Sequence, residues 1–313
     1  MKNLSERKIV IITRQTRADE LVRKFNNMTQ AAFYVEKMGG DISEYIEESN
    51  AYRGSVSSSF IHLQDLARVQ QIDREYVPSF IFGKDDIVIV IGQDGLVANT
   101  LKYLSGQPLI AVNPDPSRYD GVLLPFSTND LVSVVRDVLN NRRSHKVITM
   151  ASAELNDGQH LLAVNDFFIG RQTHVSARYS IKVDGKEESQ SSSGIIVSTG
   201  LGSTGWLRGV IAGANGIAQS IAGRKIYGDS GNISTAKWDS DYLYYSVREP
   251  FPSNTTGTSL VFGMIKDSPL QIMSQMPEGG VIFSDGIEND FLRFNSGIEA
   301  KITVAPKKGY LVV

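Results

Sequence analysis

The chain has 313 residues, a formal net charge of −2 and no cysteine. Its length predicts two domains, its charge argues against a protein that binds nucleic acid mainly by neutralising phosphates, and the absence of cysteine excludes disulfide bonds and thiol catalysis. Because the sequence contains neither an apolar run long enough to span a membrane nor a signal-peptide core in MKNLSERKIVIITR, we expect a cytoplasmic protein without membrane contact.

The first half of the chain alternates segments with strand and helix character. Such alternation is typical of a doubly wound parallel sheet and predicts an α/β domain over residues 1–145. The predicted strands lie at 8–12, 87–91 and 109–112. Helices are predicted at 18–38, ending at Gly39-Gly40, and at 131–140, with a capping pair of Ser127 and Asp130. A further helix, after a serine cluster, is marked by Phe60, Leu63, Leu66 and Val69.

From about residue 146 the pattern changes to short β-rich segments separated by Gly, Asp, Asn or Ser. This pattern predicts a second, β-rich domain over residues 146–313. Its predicted strands lie at 146–149, 161–164, 178–183, 195–198, 242–247, 259–265 and 270–273. One helix is predicted at 206–222, Asp184-Gly185 is a hairpin turn signal, and the Ser-rich residues 190–193 are predicted to form a solvated loop.

The first cluster of candidate functional residues follows the β-branched strand at 87–91 and reads Gly92-Gln93-Asp94-Gly95. Ligands bind at the carboxyl ends of the strands in open α/β sheets. Two glycines let a phosphate or sugar approach the backbone, and a carboxylate between them can accept a proton or hold a metal. The competing interpretation is a tight turn with a solvated aspartate.

Three further clusters contain candidate binding residues. Asn113 and Arg118 are candidates in the segment after the strand at 109–112, and Asn165-Asp166 after the strand at 161–164 suits adenine or ribose hydroxyls, although this dipeptide also fits a plain turn. In the last cluster, residues 198–206, Ser203 and Thr204 at a helix start suit an anion or a ribose edge, and Trp206 offers a ring for stacking.

The last cluster also matches the dinucleotide-binding pattern G-x-G-x-x-G at Gly200, Gly202 and Gly205. This pattern would indicate an oxidoreductase if it stood in a βαβ unit with an acidic residue about 20 positions further on. It stands instead in the β-rich half, and the next acidic residue is the more distant Asp229. We therefore disfavour the oxidoreductase interpretation. The four histidines (His62, His145, His160 and His174) have no zinc-binding spacing, so any metal ion is expected to be a weakly held, oxygen-ligated Mg²⁺.

The strand followed by GxDG, then Asn-Asp with Phe167-Phe168-Ile169-Gly170, then STG-x-GST-x-aromatic, resembles the NAD kinase family over roughly residues 8–300. The family patterns are GGDGT, Asn-Glu or Asn-Asp, and a Ser/Thr/Gly segment ending in a small residue and an aromatic. Further details are similar to the mitochondrial-type branch. These are Thr13-Arg14-Gln15-Thr16-Arg17, Val112-Asn113-Pro114-Asp115-Pro116, Ser192-Ser193-Gly194, Trp206 and Val247-Arg248-Glu249-Pro250.

The resemblance implies ATP-dependent phosphorylation of the 2′-hydroxyl of the adenosine ribose of NAD. It also implies a Rossmann-like domain followed by a β-sandwich-type domain, the substrate between them, and a homodimer or homotetramer. Asp94 would be the base, near Mg²⁺, in a nucleotide loop of Gly92, Gln93 and Gly95. The dinucleotide would be bound by further residues, namely Asn165, Asp166, Ser203, Thr204, Gly205 and Trp206.

The nucleotide loop departs from the family pattern at two positions. Gln93 stands where the family has glycine and could strain or fill the turn, and Leu96 replaces a threonine hydroxyl at the helix start. These changes leave the phosphoryl donor open between ATP and polyphosphate. They also motivate two alternatives, a kinase of another alcohol such as a sugar or lipid headgroup, and a non-catalytic NAD-binding protein.

Overall fold

The computed structural model describes residues 5–223, 236–288 and 290–313, so that Asp229 lies outside the described residues. The chain divides into two compact units, Met1–Lys146 with Tyr310–Val313, and Val147–Gly309. The last strand contributes to both of them, since its residues 299–302 pair in the second unit and Tyr310 and Leu311 pair in the first.

The first unit is built on a parallel sheet whose central strands are β-branched and buried. In order across the sheet, the strands are β2, β1, β3 and β4, with β5 and the end of β17 both pairing with β4. Their bounds are β1 Ser5–Thr13, β2 Ala67–Asp73, β3 Ile87–Ile91, β4 Pro108–Asn113, β5 Phe126–Ser127 and β17 Glu299–Val312. Every residue of β3 is fully buried, as the five-residue Ile/Val run predicts.

Among the described residues of this unit, five α-helices and a short 3₁₀ helix at Arg74–Ser79 accompany the sheet. The α-helices are α1 Arg17–Phe25, α2 Met28–Lys37, α3 Ile42–Leu63, α4 Asp94–Leu101 and α5 Leu131–Leu139. Side chains of α3 and α5, such as Val56 and Val134, share one apolar core with Ile9, Ile89 and Ile110 of the sheet. This α/β arrangement agrees with the fold class predicted for the first half.

Two helix predictions in this unit are wrong in extent. The helix expected at 18–38 is two helices, because Asn26 takes a left-handed φ of 67° and Asn27 caps α2 by accepting the N–H of Gln30. The helix marked by Phe60 to Val69 ends at Leu63, and Val69 lies in β2, which pairs in parallel with β1.

The serine cluster before Phe60 does not cap a helix, because it lies inside α3. There the Ser59 hydroxyl donates to the Ser55 carbonyl at 2.7 Å, a bond that satisfies a serine within a helix. The capping pair of Ser127 and Asp130 is present only in part. The Ser127 hydroxyl and N–H both donate to the Asp130 carboxylate, but α5 begins at Leu131, so the residue before the helix is Asp130 rather than Ser127, and the Asp130 side chain caps none of the described N–H groups of α5.

Among its described residues, the second unit has two sheets, whose facing side chains form one apolar core, one α-helix, α6 Trp206–Ala222, and a short 3₁₀ helix at Gly202–Thr204. One sheet has the strand order β10, β9, β14, β17 with β6 and β7 alongside, and the other has the antiparallel order β13, β12, β11, β8, β15, β16. The strand bounds are β6 His145–Leu155, β7 His160–Ala163, β8 Asp166–Arg171, β9 Ala177–Val183, β10 Lys186–Ser192, β11 Ile195–Ser198, β12 Leu243–Val247, β13 Phe262–Ile265, β14 Leu270–Ser274, β15 Gly280–Ser284 and β16 Phe291–Arg293.

Residues 190–193 correct the sequence analysis, because Gln190 to Ser192 belong to β10 and are buried. The Tyr179 hydroxyl bonds Gln190 at 3.0 Å and Ser192 at 2.7 Å, so these polar side chains are satisfied inside the sheet. The turn that leads into β10 is as predicted, since Asp184 and Gly185 both have positive φ, the conformation of a two-residue hairpin.

In the part of the chain that the structure describes, no helix combines the length and apolar character needed to cross a membrane.

Candidate functional site

Asp94 is the first residue of α4, and Gly92 and Gln93 connect it to the buried strand β3. Its carboxylate accepts the N–H of Leu123 at 2.8 Å and the N–H of Val122 at 3.2 Å. Both amides belong to the loop that follows β4, the strand next to β3 in the parallel sheet. The carboxylate is therefore held by two backbone donors where two neighbouring strands end.

The other residues of the Gly92-Gln93-Asp94-Gly95 loop show no positive φ. Gln93 has φ −116° and ψ 164°, an extended conformation that any residue adopts, and its side chain is exposed. It therefore neither strains nor fills the turn. Leu96 is buried, and its Cδ2 would lie 2.9 Å from a Cβ on Gly92. No described atom lies within 4 Å of a Cβ built at Gly95, so the backbone is open to a ligand there.

Asn113 and Arg118, the further candidates, shape the loop that reaches Asp94. The buried Asn113 amide donates to the Tyr119 carbonyl at 2.8 Å, and its oxygen accepts the Asp115 N–H at 3.0 Å. Arg118 pairs with Asp115 at 3.5 Å. Asn113 thus positions the loop rather than presenting its amide to a ligand.

Val164 and Asn165 form the turn between β7 and β8, Asp166 is the first residue of β8, and Asp285 holds this turn. The Asp285 carboxylate accepts the N–H of Asn165 at 2.6 Å, that of Val164 at 3.1 Å and that of Asp166 at 3.4 Å. The sequence analysis missed Asp285. Its only signal is Asp285-Gly286 after a strand, the same signal that marks the Asp184-Gly185 turn.

The two carboxylates at this turn differ in their environment. Burial, together with the neighbouring charge of Asp285, raises the pKa of Asp166 to about 7. Near neutral pH the Asp166 carboxyl group therefore exists in both protonation states, so it can donate a hydrogen bond or accept one.

The glycines of the 198–206 segment allow close main-chain packing. A Cβ on Gly202 would lie 2.0 Å from the Asn165 carbonyl oxygen, and one on Gly200 would lie 1.9 Å from the Lys237 carbonyl oxygen. The strand before them, β11, pairs antiparallel on both sides and is not part of a βαβ unit. Both facts agree with rejecting the dinucleotide fingerprint, because backbone carbonyl groups of the protein fill the space beside Gly200 and Gly202.

Thr199, a second residue that the sequence analysis missed, connects this segment to the Asn165 turn. Its hydroxyl donates to the Val164 carbonyl at 2.6 Å and accepts the Gly202 N–H at 3.1 Å. Among the predicted residues, Ser203 is buried and donates to the Gly200 carbonyl at 2.7 Å. Thr204, Gly205 and Trp206 are exposed to solvent.

Trp206 borders a small cavity of about 190 Å³. Its ring lies parallel to that of Phe168, with centroids 5.9 Å apart, and Arg248 lies over its ring at 5.6 Å. Among the described residues, the buried Nε of Arg171 has no hydrogen-bond partner. The cavity thus offers aromatic faces and guanidinium groups, which suit a flat ligand with negative charge. It is lined by Phe168, Arg171, Gln172, Trp206, Arg248, Val281, Phe283, Glu288 and Phe291.

The predicted residues form two clusters, one in each unit. We call Gly92–Gly95 with the loop residues Asn113, Val122 and Leu123 the Asp94 cluster, and Asn165, Asp166, Asp285, Thr199 and Ser203–Trp206 the Asn165 cluster. Within the described ranges, no group of three or more histidine, aspartate or glutamate side chains is placed to hold a metal ion.

Searches by sequence find no protein-family model and no curated protein that matches this chain. Solved structures do match it. A yeast NADH kinase, solved in complex with NADH, is 15% identical with a TM-score of 0.63, and the match covers 99% of this chain and 84% of that one. An NAD kinase from Archaeoglobus fulgidus, solved in complex with ATP, is 14% identical with a TM-score of 0.56, covering 98% and 93% of the two chains. The chain therefore has the fold of these two kinases along nearly its whole length.

Proposed function

We propose that this protein is an NAD kinase, which transfers a phosphoryl group from ATP or another phosphoryl donor to the 2′-hydroxyl of the adenosine ribose of NAD. One observation carries the proposal. In a fold shared with an NADH kinase and an NAD kinase, Asp94 begins the helix that follows a buried parallel strand, and its carboxylate is held by the amides of Val122 and Leu123.

Asp94 is assigned the role of base. As the ribose hydroxyl oxygen bonds to the terminal phosphorus of the donor, the bond from that phosphorus to the bridging oxygen breaks, and the hydroxyl proton passes to the Asp94 carboxylate. Phosphoryl transfer depends mainly on positioning and on stabilisation of charge. A carboxylate that two backbone amides hold in one orientation meets the first requirement.

The Asn165 cluster is assigned to the acceptor. Trp206, which is 38% exposed, offers its ring as a stacking surface for adenine beside the Gly205 backbone and Thr204, whose hydroxyl donates to the Leu201 carbonyl at 3.2 Å and can still accept a hydrogen bond. Asn165 and Asp166 supply an amide and a carboxyl group for ribose hydroxyls. Ser203 acts by holding the segment, since its hydroxyl is bonded to the Gly200 carbonyl.

The donor is assigned to the open backbone at Gly95, in the first turn of α4. Mg²⁺ commonly binds through one or two carboxylates together with substrate phosphates. Asp94 alone therefore suffices on the protein side, and the ion, when bound, offsets the negative charge of the phosphates. We further propose that the protein acts in the cytoplasm as a homodimer or homotetramer.

The test is an assay of NADP or NADPH formation from NAD or NADH with ATP, other triphosphates or polyphosphate. Asp94→Asn should lower turnover by a factor of about 10² to 10⁴ with the fold intact by circular dichroism. Asp120→Asn, an exposed aspartate of the loop that reaches Asp94, is the matched control and should leave turnover unchanged.

Three outcomes would contradict the proposal. Unchanged NADP formation by Asp94→Asn would remove Asp94 as the base. NAD binding by calorimetry without transfer from any donor would indicate a non-catalytic binding protein. Turnover with a sugar or lipid alcohol but not with NAD would indicate a kinase of another alcohol.

A further inference from the structure

The segment at the end of β1, Thr13-Arg14-Gln15-Thr16-Arg17, has no role in the site described so far. Arg14 comes directly after the strand, and Arg17 is the first residue of α1. Both side chains bond Glu48 of α3, Arg14 through Nη2 at 2.9 Å and Arg17 through Nε at 2.5 Å. The Tyr119 hydroxyl donates to the same carboxylate at 3.0 Å.

This group carries an excess of positive charge. Two guanidinium groups pair with one carboxylate, and the Glu48 carboxylate is only 2% exposed. Burial acts to raise the pKa of Glu48, but the hydrogen bonds from Arg14, Arg17 and Tyr119 outweigh it and hold that pKa below its usual range. Arg14 is nearly buried, and among the described residues its Nε has no hydrogen-bond partner. Arg17 remains 45% exposed.

Hydrogen bonds connect this group to the Asp94 cluster. The Arg14 N–H donates to the Tyr52 hydroxyl at 2.8 Å, and that hydroxyl donates at 3.0 Å to the carbonyl of Ile91, the residue before Gly92. Tyr119 lies in the loop whose Val122 and Leu123 amides hold Asp94. The arginines therefore stand at the same edge of the parallel sheet as Asp94, where β1, β3 and β4 end.

This edge needs a cation if a phosphate chain is to bind there. Leu96 is buried and has no hydroxyl to offer, and no side chain among the described residues caps the N-terminus of α4. At α1, the Thr16–Asp19 capping box already engages the Thr16 and Asp19 amides, so the charge available at this helix start is the guanidinium of Arg17. Guanidinium groups bind phosphate oxygens through paired N–H donors.

We propose that Arg17 binds the phosphate chain of the phosphoryl donor, with Glu48 and Arg14 as positioning residues that hold its guanidinium group. The ligand class is a linear polyphosphate anion, which either a nucleoside triphosphate or inorganic polyphosphate supplies. This inference rests on the proposed function, since it names the donor side of the same reaction. Replacing Arg17 removes its contact with the Tyr45 ring, whose centroid lies 4.6 Å from its guanidinium carbon, but Glu48 keeps its bonds to Arg14 and Tyr119.

The experiment measures binding of inorganic tripolyphosphate and of ATP by isothermal titration calorimetry. Arg17→Gln should weaken the binding of tripolyphosphate at least about tenfold, the loss expected for a charged hydrogen bond, and Arg17→Lys should restore part of it. Arg23→Gln is the matched control, since Arg23 lies on the same helix, is more exposed and pairs with Glu75; it should bind like the wild type. The KM for ATP in NADP formation should rise by a similar factor in Arg17→Gln, with the KM for NAD unchanged.

The two proposals fail separately. Tripolyphosphate binding by Arg17→Gln at wild-type strength would overturn the role of Arg17, even if NADP is formed. Arg17-dependent binding without NADP formation would leave this anion site standing and contradict the kinase proposal. Tighter binding of ATP than of tripolyphosphate identifies a nucleoside triphosphate as the donor, and equal binding favours polyphosphate.

Discussion

Asp166 and Asp285 place two carboxylates at one turn, and backbone N–H groups of that turn donate to Asp285. Asp285 accepts three N–H groups from the turn, which stabilise its charged form. The pKa of Asp166, raised to about 7 by burial and by the charge of Asp285, shows that ionising it in the folded protein is costly. Such a perturbed carboxyl group at a partly exposed turn is typical of a functional position.

This pKa makes stability depend on pH in a direction that can be tested. The folded-state pKa lies above the ordinary aspartate value of 3.8, so the contribution of Asp166 to stability is complete below that pH and is lost as pH rises towards about 7. Asp166→Asn removes this titration. The variant should therefore gain stability relative to the wild type between pH 5 and pH 8, measured as the shift of the urea unfolding midpoint.

Asp267→Asn, which changes an exposed aspartate of the same unit, is the control and should follow the wild type at both pH values. If the difference between Asp166→Asn and the wild type stayed constant from pH 5 to pH 8, Asp166 would not titrate in this range.

At the level of single residues, the sequence indicates candidate site residues that follow strands. It misses residues that bond to the site from distant positions in the chain. Asp94, Asn165 and Asp166 stand out because each comes near the end of an apolar run. Asp285 lies 120 positions from Asn165, and no local pattern connects them. Thr199 is hidden for another reason. In a segment rich in Ser, Thr and Gly, the sequence does not tell which hydroxyl turns inward.

Among the elements, the 198–206 segment depends on glycine where two main chains meet. A Cβ at Gly202 would lie 2.0 Å from the Asn165 carbonyl oxygen, a backbone atom that cannot move away as a flexible side chain could. Gly202→Ala should therefore lower the free energy of unfolding by about 3 kcal/mol, the upper range for overpacking. Urea denaturation followed by circular dichroism measures this loss.

Gly213→Ala is the matched control. Gly213 lies inside α6, and no described atom lies within 4 Å of a Cβ built there. Alanine costs less conformational entropy than glycine in a helix, so this change should stabilise the protein by about 0.5 to 1 kcal/mol. Equal effects of the two substitutions would show that the 198–206 segment does not pack on the Asn165 turn as described.

Elements with buried β-branched runs could be predicted, and elements with polar faces could not. The run Ile87–Ile91 is strand β3 at the predicted bounds. Residues 190–193 were misjudged because Gln190 and Ser192 are polar, yet their partner is the Tyr179 hydroxyl of the neighbouring strand. Composition predicts exposure only where polar groups have no internal partner.

In the whole molecule, the change of sequence pattern near residue 146 coincides with the boundary between the two units. Residues 310–313 are the exception. The sequence analysis assigns residues 146–313 to the second domain, whereas Tyr310–Val313 group with the first unit. The segment GYLVV looks like any strand, and its partner on β4 lies in the first half of the chain. A pairing so far apart in sequence leaves no local signal.

The last strand therefore stabilises the parallel sheet that holds Asp94. Leu311 is 1% exposed and stands opposite Leu109 of β4, next to the strand pair whose ends carry the Asp94 cluster. Leu311→Ala removes buried methyl groups there and should lower the free energy of unfolding of the first unit by about 2 to 5 kcal/mol. Hydrogen exchange locates the loss: amides of β4 should exchange faster, while those of β12 in the second unit keep their protection.

Lys301→Ala, an exposed position of the same strand, should change neither. Unchanged protection of β4 in Leu311→Ala would place the chain's end outside the first unit and leave β4 without this neighbour.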